Sequence, residues 1–105
     1  MTARLVVSNA ARADAHDILD YLRTEASERT ALQYALAFDA AIDRIAELPL
    51  SGSPRRQYGT DVRVVIIDRY LVYYEADSSG QSARVLRILH GSRNITQELI
   101  LKGRE

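Results

Sequence analysis

The chain has 105 residues, 47% of them apolar, and its 14 basic side chains balance its 14 acidic ones. One core fits a chain of that size and two do not, which excludes multidomain enzymes, while the apolar fraction excludes a disordered segment. There is no cysteine, hence no disulfide framework, no thiolate metal site and no cysteine nucleophile, and a reducing compartment fits.

No run reaches the roughly 18 apolar residues that a membrane span needs, and the opening MTARLVV lacks the apolar stretch of a signal peptide. A cytoplasmic protein with no membrane partner is therefore expected. The charge is uneven along the chain. Residues 1–48 carry five basic and eight acidic side chains, net −3, and residues 49–105 carry nine and six, net +3. All basic residues but Lys102 are arginine. The planar guanidinium fork suits phosphate and carboxylate, so the second half is charged to face an acidic partner or a polyanion.

The apolar run Leu5, Val6 and Val7 predicts a first strand, closed by Ser8 and Asn9, either of which can cap the helix that follows. Ala11, Ala15, Ile18, Leu19, Leu22 and Ala26 then fall on one helical face, with Arg12, Asp14, Asp17, Asp20 and Arg23 elsewhere. Ser27 or Thr30 starts a second helix, Thr30 and Gln33 having the spacing of a capping box. Its stripe is Ala31, Tyr34, Ala35, Phe38, Ala41, Ile42, Ile45 and Leu48, and Pro49 stops it. The two helices form a hairpin.

The segment Leu48–Pro54 (LPLSGSP) is the one strong interruption, and after it the period changes from helical to alternating. Val62–Ile67, Tyr70–Ala76 and Arg84–Leu89 are rich in β-branched and aromatic residues and are separated by hairpin-length gaps. The expected fold is α+β: an N-terminal strand, a two-helix hairpin on one face of the sheet, then an antiparallel meander, in the order βααβββ. A short C-terminal element over Ile95–Leu101 can follow. The whole chain, 1–105, reads as one domain. Apolar residues occupy both faces of Val62–Ile67 and of Arg84–Leu89, so the face away from the helices must be covered, by the C-terminal tail or by another chain.

Candidate chemistry gathers on the strand half. Alternation puts Arg63 with Val65 and Ile67, and Arg87 with Val85 and Leu89, on one face away from the helices. Arg55, Arg56, Arg69, Arg84 and Arg93 complete a group suited to a shared anion or carboxylate. His90 follows the last strand, and an imidazole there is a candidate proton shuttle. His16 lies among Asp14, Asp17 and Asp20, which do not converge, so no metal site is expected. Tyr70 and Tyr74 face opposite to Tyr73. No Gly-rich phosphate loop, Gly-x-Ser-x-Gly or His-Glu-x-x-His motif is present, and no cofactor is expected.

A helix ending IAELP (Ile45–Pro49), a loop with Gly52, the run GTDVR (Gly59–Arg63), the strand YLVYY (Tyr70–Tyr74) and VLRILHGSR (Val85–Arg93) together closely resemble the RelE/ParE superfamily of type II toxin–antitoxin toxins. The resemblance covers nearly the whole chain and leans to the ParE branch. It implies a toxin that inhibits DNA gyrase and hence replication, without a catalytic set, until a cognate antitoxin binds it. That antitoxin is expected to be a ribbon-helix-helix protein with an acidic, amphipathic C-terminal tail, through which alone the toxin reaches operator DNA. Antitoxin or target binding is expected at Arg55, Arg56, Arg63, Val65, Ile67, Val85, Arg87, Leu89 and Arg93. The alternative that the resemblance carries is a ribosome-dependent mRNA endoribonuclease using Arg63, His90 and Arg93. A lone lysine and the lack of a tyrosine after Arg93 weigh against it. A third reading is an inactive module that only binds antitoxin and co-represses its operon.

Overall fold

A short strand, β1 (Arg4–Val7), runs directly into α1 (Asn9–Glu25) through Ser8, which is buried and does two jobs. Its hydroxyl accepts from the Ala11 N–H at 2.9 Å, capping the helix, and donates to the Leu86 carbonyl at 2.9 Å, tying the helix start to the last strand. Such a cap stabilises by about 1 kcal/mol. The second helix, α2 (Glu28–Glu47), is capped by Ser27, whose hydroxyl accepts from the Thr30 N–H at 3.0 Å. Thr30 therefore lies inside the helix, and the Thr30–Gln33 capping box expected from the sequence does not form. The structure is a computed structural model and describes residues 2–105.

Beyond the helices come β2 (Ser53–Pro54), β3 (Val62–Ile67), β4 (Tyr70–Ala76) and β5 (Ser82–His90), then a short α3 (Gln97–Leu101) and a 3-10 turn over Lys102–Arg104. The sheet order is β1-β5-β4-β3-β2. As expected, β3, β4 and β5 form an antiparallel meander. In addition β1 pairs with β5 in parallel, which makes the sheet mixed, and Ser53–Pro54 adds a two-residue edge strand that the sequence did not announce. Asp68 turns the β3–β4 hairpin at φ 53°, a left-handed position that an Asp tolerates.

Both helices lie on one face, as their stripes require. There Ala11, Phe38 and Ile45 meet Tyr70, Val72, Tyr74, Val85 and Ile88, with Val65 and Ile67 packed against them. Ile45 is fully buried, and burying a side chain of that size contributes about 2 kcal/mol. The other face is sealed by the chain itself: Ile100, Ile95, Leu99, Leu101 and Tyr58 cover Val62, Val64, Tyr73, Leu86 and Leu89. Of the two coverings that the sequence left open, the tail is the one found. It sits close. A Cβ on Gly103 would fall 2.3 Å from the Leu86 carbonyl oxygen, so only glycine fits.

Alternation holds in β4, where Tyr70 and Tyr74 face the helices and Tyr73 the tail. In β5 it breaks. Tyr73 pairs with Arg87 and Tyr74 with Val85, leaving Leu86 as the extra residue of a β-bulge. The bulge corrects the expected arrangement of arginines: Val85 points to the helices and Leu89 to the tail, so Arg87 does not share a face with both. Nor does Arg63 point away from the helices, since its face-mates Val65 and Ile67 pack beneath them.

Candidate functional site

The loop that follows α2 is built from side chains the sequence marked separately. The Tyr74 hydroxyl donates to the Pro49 carbonyl and accepts from the Gly52 N–H, both at 2.8 Å. Cross-strand from it, Arg63 donates from Nη1 to the Leu50 and Gly52 carbonyls, both at 2.9 Å. Gly52 allows this approach, because a Cβ there would lie 2.5 Å from the Tyr74 hydroxyl oxygen. Burial raises the Tyr74 pKa, against the opposing pull of the Gly52 N–H and Arg63. Arg63 thus holds a loop.

Arg87 is likewise engaged. Its guanidinium meets the Asp14 carboxylate at 2.7 and 2.8 Å, and its Nη1 donates to the Leu99 carbonyl at 2.9 Å. Asp14 also accepts from the Ile88 N–H at 3.0 Å, so one mostly buried ion pair binds α1, the bulged strand and the tail. Asp14 raises the Arg87 pKa through this bond. Val85 and Leu89 are buried. Val65 and Ile67 are half-buried, and neither forms a free patch.

Three guanidiniums of the predicted set lie nearer to solvent. Arg55 is half-buried and donates to its neighbouring Pro54 carbonyl at 2.8 Å, while Arg56 and Arg93 are exposed. At the far end of β5, the His90 Nδ1 accepts from the Ser92 N–H at 3.0 Å, and its ring meets Tyr70 edge-on. Arg63 is not near it. The His90 row runs through Tyr70 to Ile67, four residues along β3 from Arg63, about 13 Å of strand. The fold therefore does not assemble the Arg63, His90 and Arg93 set of the ribonuclease alternative.

The sequence reading missed the surface between the helices. Ala15 and Leu19 of α1 and Ala35, Asp39 and Ile42 of α2 line a largely apolar groove of about 310 Å³. Leu32 and Leu36 lie on the outer side of α2, within a turn of Ala35 and Asp39, and each is 60% exposed. Their i, i+4 spacing was the available signal. Among the described residues, no helix is long and apolar enough to cross a membrane.

This architecture is shared with chains in solved structures of toxin–antitoxin systems. The solved structure described as the chromosomal ParDE system from P. aeruginosa superposes with a TM-score of 0.70 at 16% identity, over 85% of this chain and 96% of that one. The RelBE2 toxin–antitoxin complex from Mycobacterium tuberculosis superposes with 0.59 at 20% identity, over 86% and 99%. Sequence narrows the class. A family model for the ParE toxin of the type II toxin–antitoxin system parDE matches residues 5–95, and Toxin ParE1 of Caulobacter vibrioides is 30% identical over 93 residues, 89% of this chain and 94% of its own. The chain belongs to the ParE toxin family.

Proposed function

We propose that this ParE-type toxin binds a cognate antitoxin along the α1–α2 groove and that its target is DNA gyrase. The observation that carries the antitoxin site is the pair Leu32 and Leu36, large apolar side chains left in water beside an apolar groove. An amphipathic helix fits such a surface through anchors one turn apart. The expected partner is a ribbon-helix-helix protein with an acidic, amphipathic tail. Arg55, Arg56 and Arg93 remain outside the core to meet its carboxylates or the target. Operator DNA is then reached only through the antitoxin.

Membership of the ParE family supports gyrase, and the separation of Arg63 from His90 speaks against mRNA cleavage. The experiment is a supercoiling and DNA-cleavage assay with purified gyrase. Inhibition or stabilised breaks at micromolar toxin, abolished by the antitoxin, is the expected result. Unaffected gyrase with cut mRNA in primer extension would replace this reading with the ribonuclease one. For the antitoxin site, Leu32→Glu with Leu36→Glu should release the antitoxin while leaving the isolated toxin folded.

A further inference from the structure

At the hairpin-turn end of the molecule, α1, α2, the β3–β4 turn and the end of β5 enclose a second groove of about 540 Å³. Its volume is that of a small-ligand site, and its walls differ from the apolar helix groove. Tyr21, Tyr34 and Tyr70 supply aromatic surface, and His90, Arg69 and Asp17 supply polar groups. The packing of the fold does not account for them all. Tyr21 is 62% exposed. Asp68 is engaged by the Tyr34 hydroxyl, and among the described residues no carboxylate lies within ion-pair distance of Arg69.

The chemistry of each wall is specific. Because the Ser92 N–H donates to Nδ1 of His90, the neutral ring carries its proton on Nε2, a fixed donor. Asp17, on the same lining, is an acceptor. A donor and an acceptor beside an exposed aromatic ring read the edge of a stacked base, and an unpaired guanidinium takes a phosphate. An aromatic side chain of a protein would cover Tyr21 and leave Arg69 without a counter-charge.

We propose that this groove binds a nucleotide, its base stacked on Tyr21 and its phosphate on Arg69. The site is separate from the antitoxin groove, and the gyrase and antitoxin readings survive its failure. The ligand is either a free nucleoside monophosphate or the end of a single nucleic-acid strand, which share this chemistry.

The chain has six tyrosines and no tryptophan, so three of its six intrinsic fluorophores line the groove, and stacking should quench their emission. The full chain is titrated with AMP, UMP, adenosine, inorganic phosphate and a short single-stranded oligonucleotide, with amide chemical shifts recorded alongside. Saturable quenching by a monophosphate, with adenosine and phosphate each at least about tenfold weaker, is expected. A stronger response to the oligonucleotide assigns the strand end as the source, and one to the monophosphate assigns the free nucleotide. Tyr21→Ala and Arg69→Ala, both at exposed positions and checked for folding by circular dichroism, should each weaken binding about tenfold. No saturable response from folded protein at millimolar nucleotide, or unchanged affinity in both variants, overturns the proposal. So does a groove whose amide shifts move only when the antitoxin is added.

Discussion

Removing one oxygen atom tests the loop clamp. In Tyr74→Phe the ring stays in a fully buried site, but the Pro49 carbonyl and the Gly52 N–H lose their partner, each at 2.8 Å. Two such bonds contribute about 1 kcal/mol each, and the buried N–H left without an acceptor adds its desolvation, so a loss of about 2–3 kcal/mol is expected, with a Tm lower by on the order of 10 °C. Gly52→Ala attacks the same contact from the other side. Its Cβ would meet the Tyr74 hydroxyl at 2.5 Å and ring carbons Cε1 and Cζ at 2.7 and 2.9 Å, an overpacking worth about 1–3 kcal/mol. Both changes break the same pair of hydrogen bonds. The double variant should therefore lose less than the sum of the singles, by about 1 kcal/mol, in a double-mutant cycle from urea unfolding at constant m. A Tyr74→Phe protein within about 0.5 kcal/mol of the parent, or strict additivity, would refute the clamp.

Arg87→Met strands the Asp14 carboxylate in a mostly buried position, and calorimetry should show a loss of about 3 kcal/mol. Ile100→Ala, at a fully buried side chain, should cost about 2–5 kcal/mol and raise binding of a hydrophobic dye as the tail loosens. Burial raises the pKa values of Tyr70, Tyr73 and Tyr74. Their unfolded forms ionise near pH 10 and the folded ones higher, so stability is flat below about pH 10 and falls above it. Unfolding midpoints from pH 8 to 11 check this. Asp77 behaves in the opposite sense. Bonds from Ser79, Ser82 and the Gln81 N–H hold its carboxyl well below the usual range, so its contribution is present above about pH 4 and is lost on acidification. Asp77→Asn should flatten that acid limb in pH-dependent unfolding.

The helices, their hairpin and the meander were legible because period 3.6 and period 2 are local signals. So was the opposition of Tyr73 to Tyr70 and Tyr74. The bulge at Leu86 was not, since nothing between Val85 and Ile88 marks an extra residue, and one residue out of step sends Val85 and Leu89 to opposite faces. The parallel pairing of β1 with β5 joins residues nearly 80 positions apart, beyond any local pattern. Arg63 looked like an anion ligand because guanidinium chemistry does not distinguish phosphate from a pair of backbone carbonyls. The spacing of Gly52 against Arg63 and Tyr74 acquires meaning only once β3 and β4 are paired. The tail over the second face was one of two coverings the sequence allowed, and packing decided it.

The sealing of the tail-side apolar cluster by residues 95–104 has a consequence for truncation. A chain cut before residue 95 keeps every strand and both long helices but leaves Val62, Val64, Tyr73, Leu86 and Leu89 without most of their cover. Such a shortened chain bares one face of its sheet, and a contiguous apolar face of that kind makes it prone to aggregate.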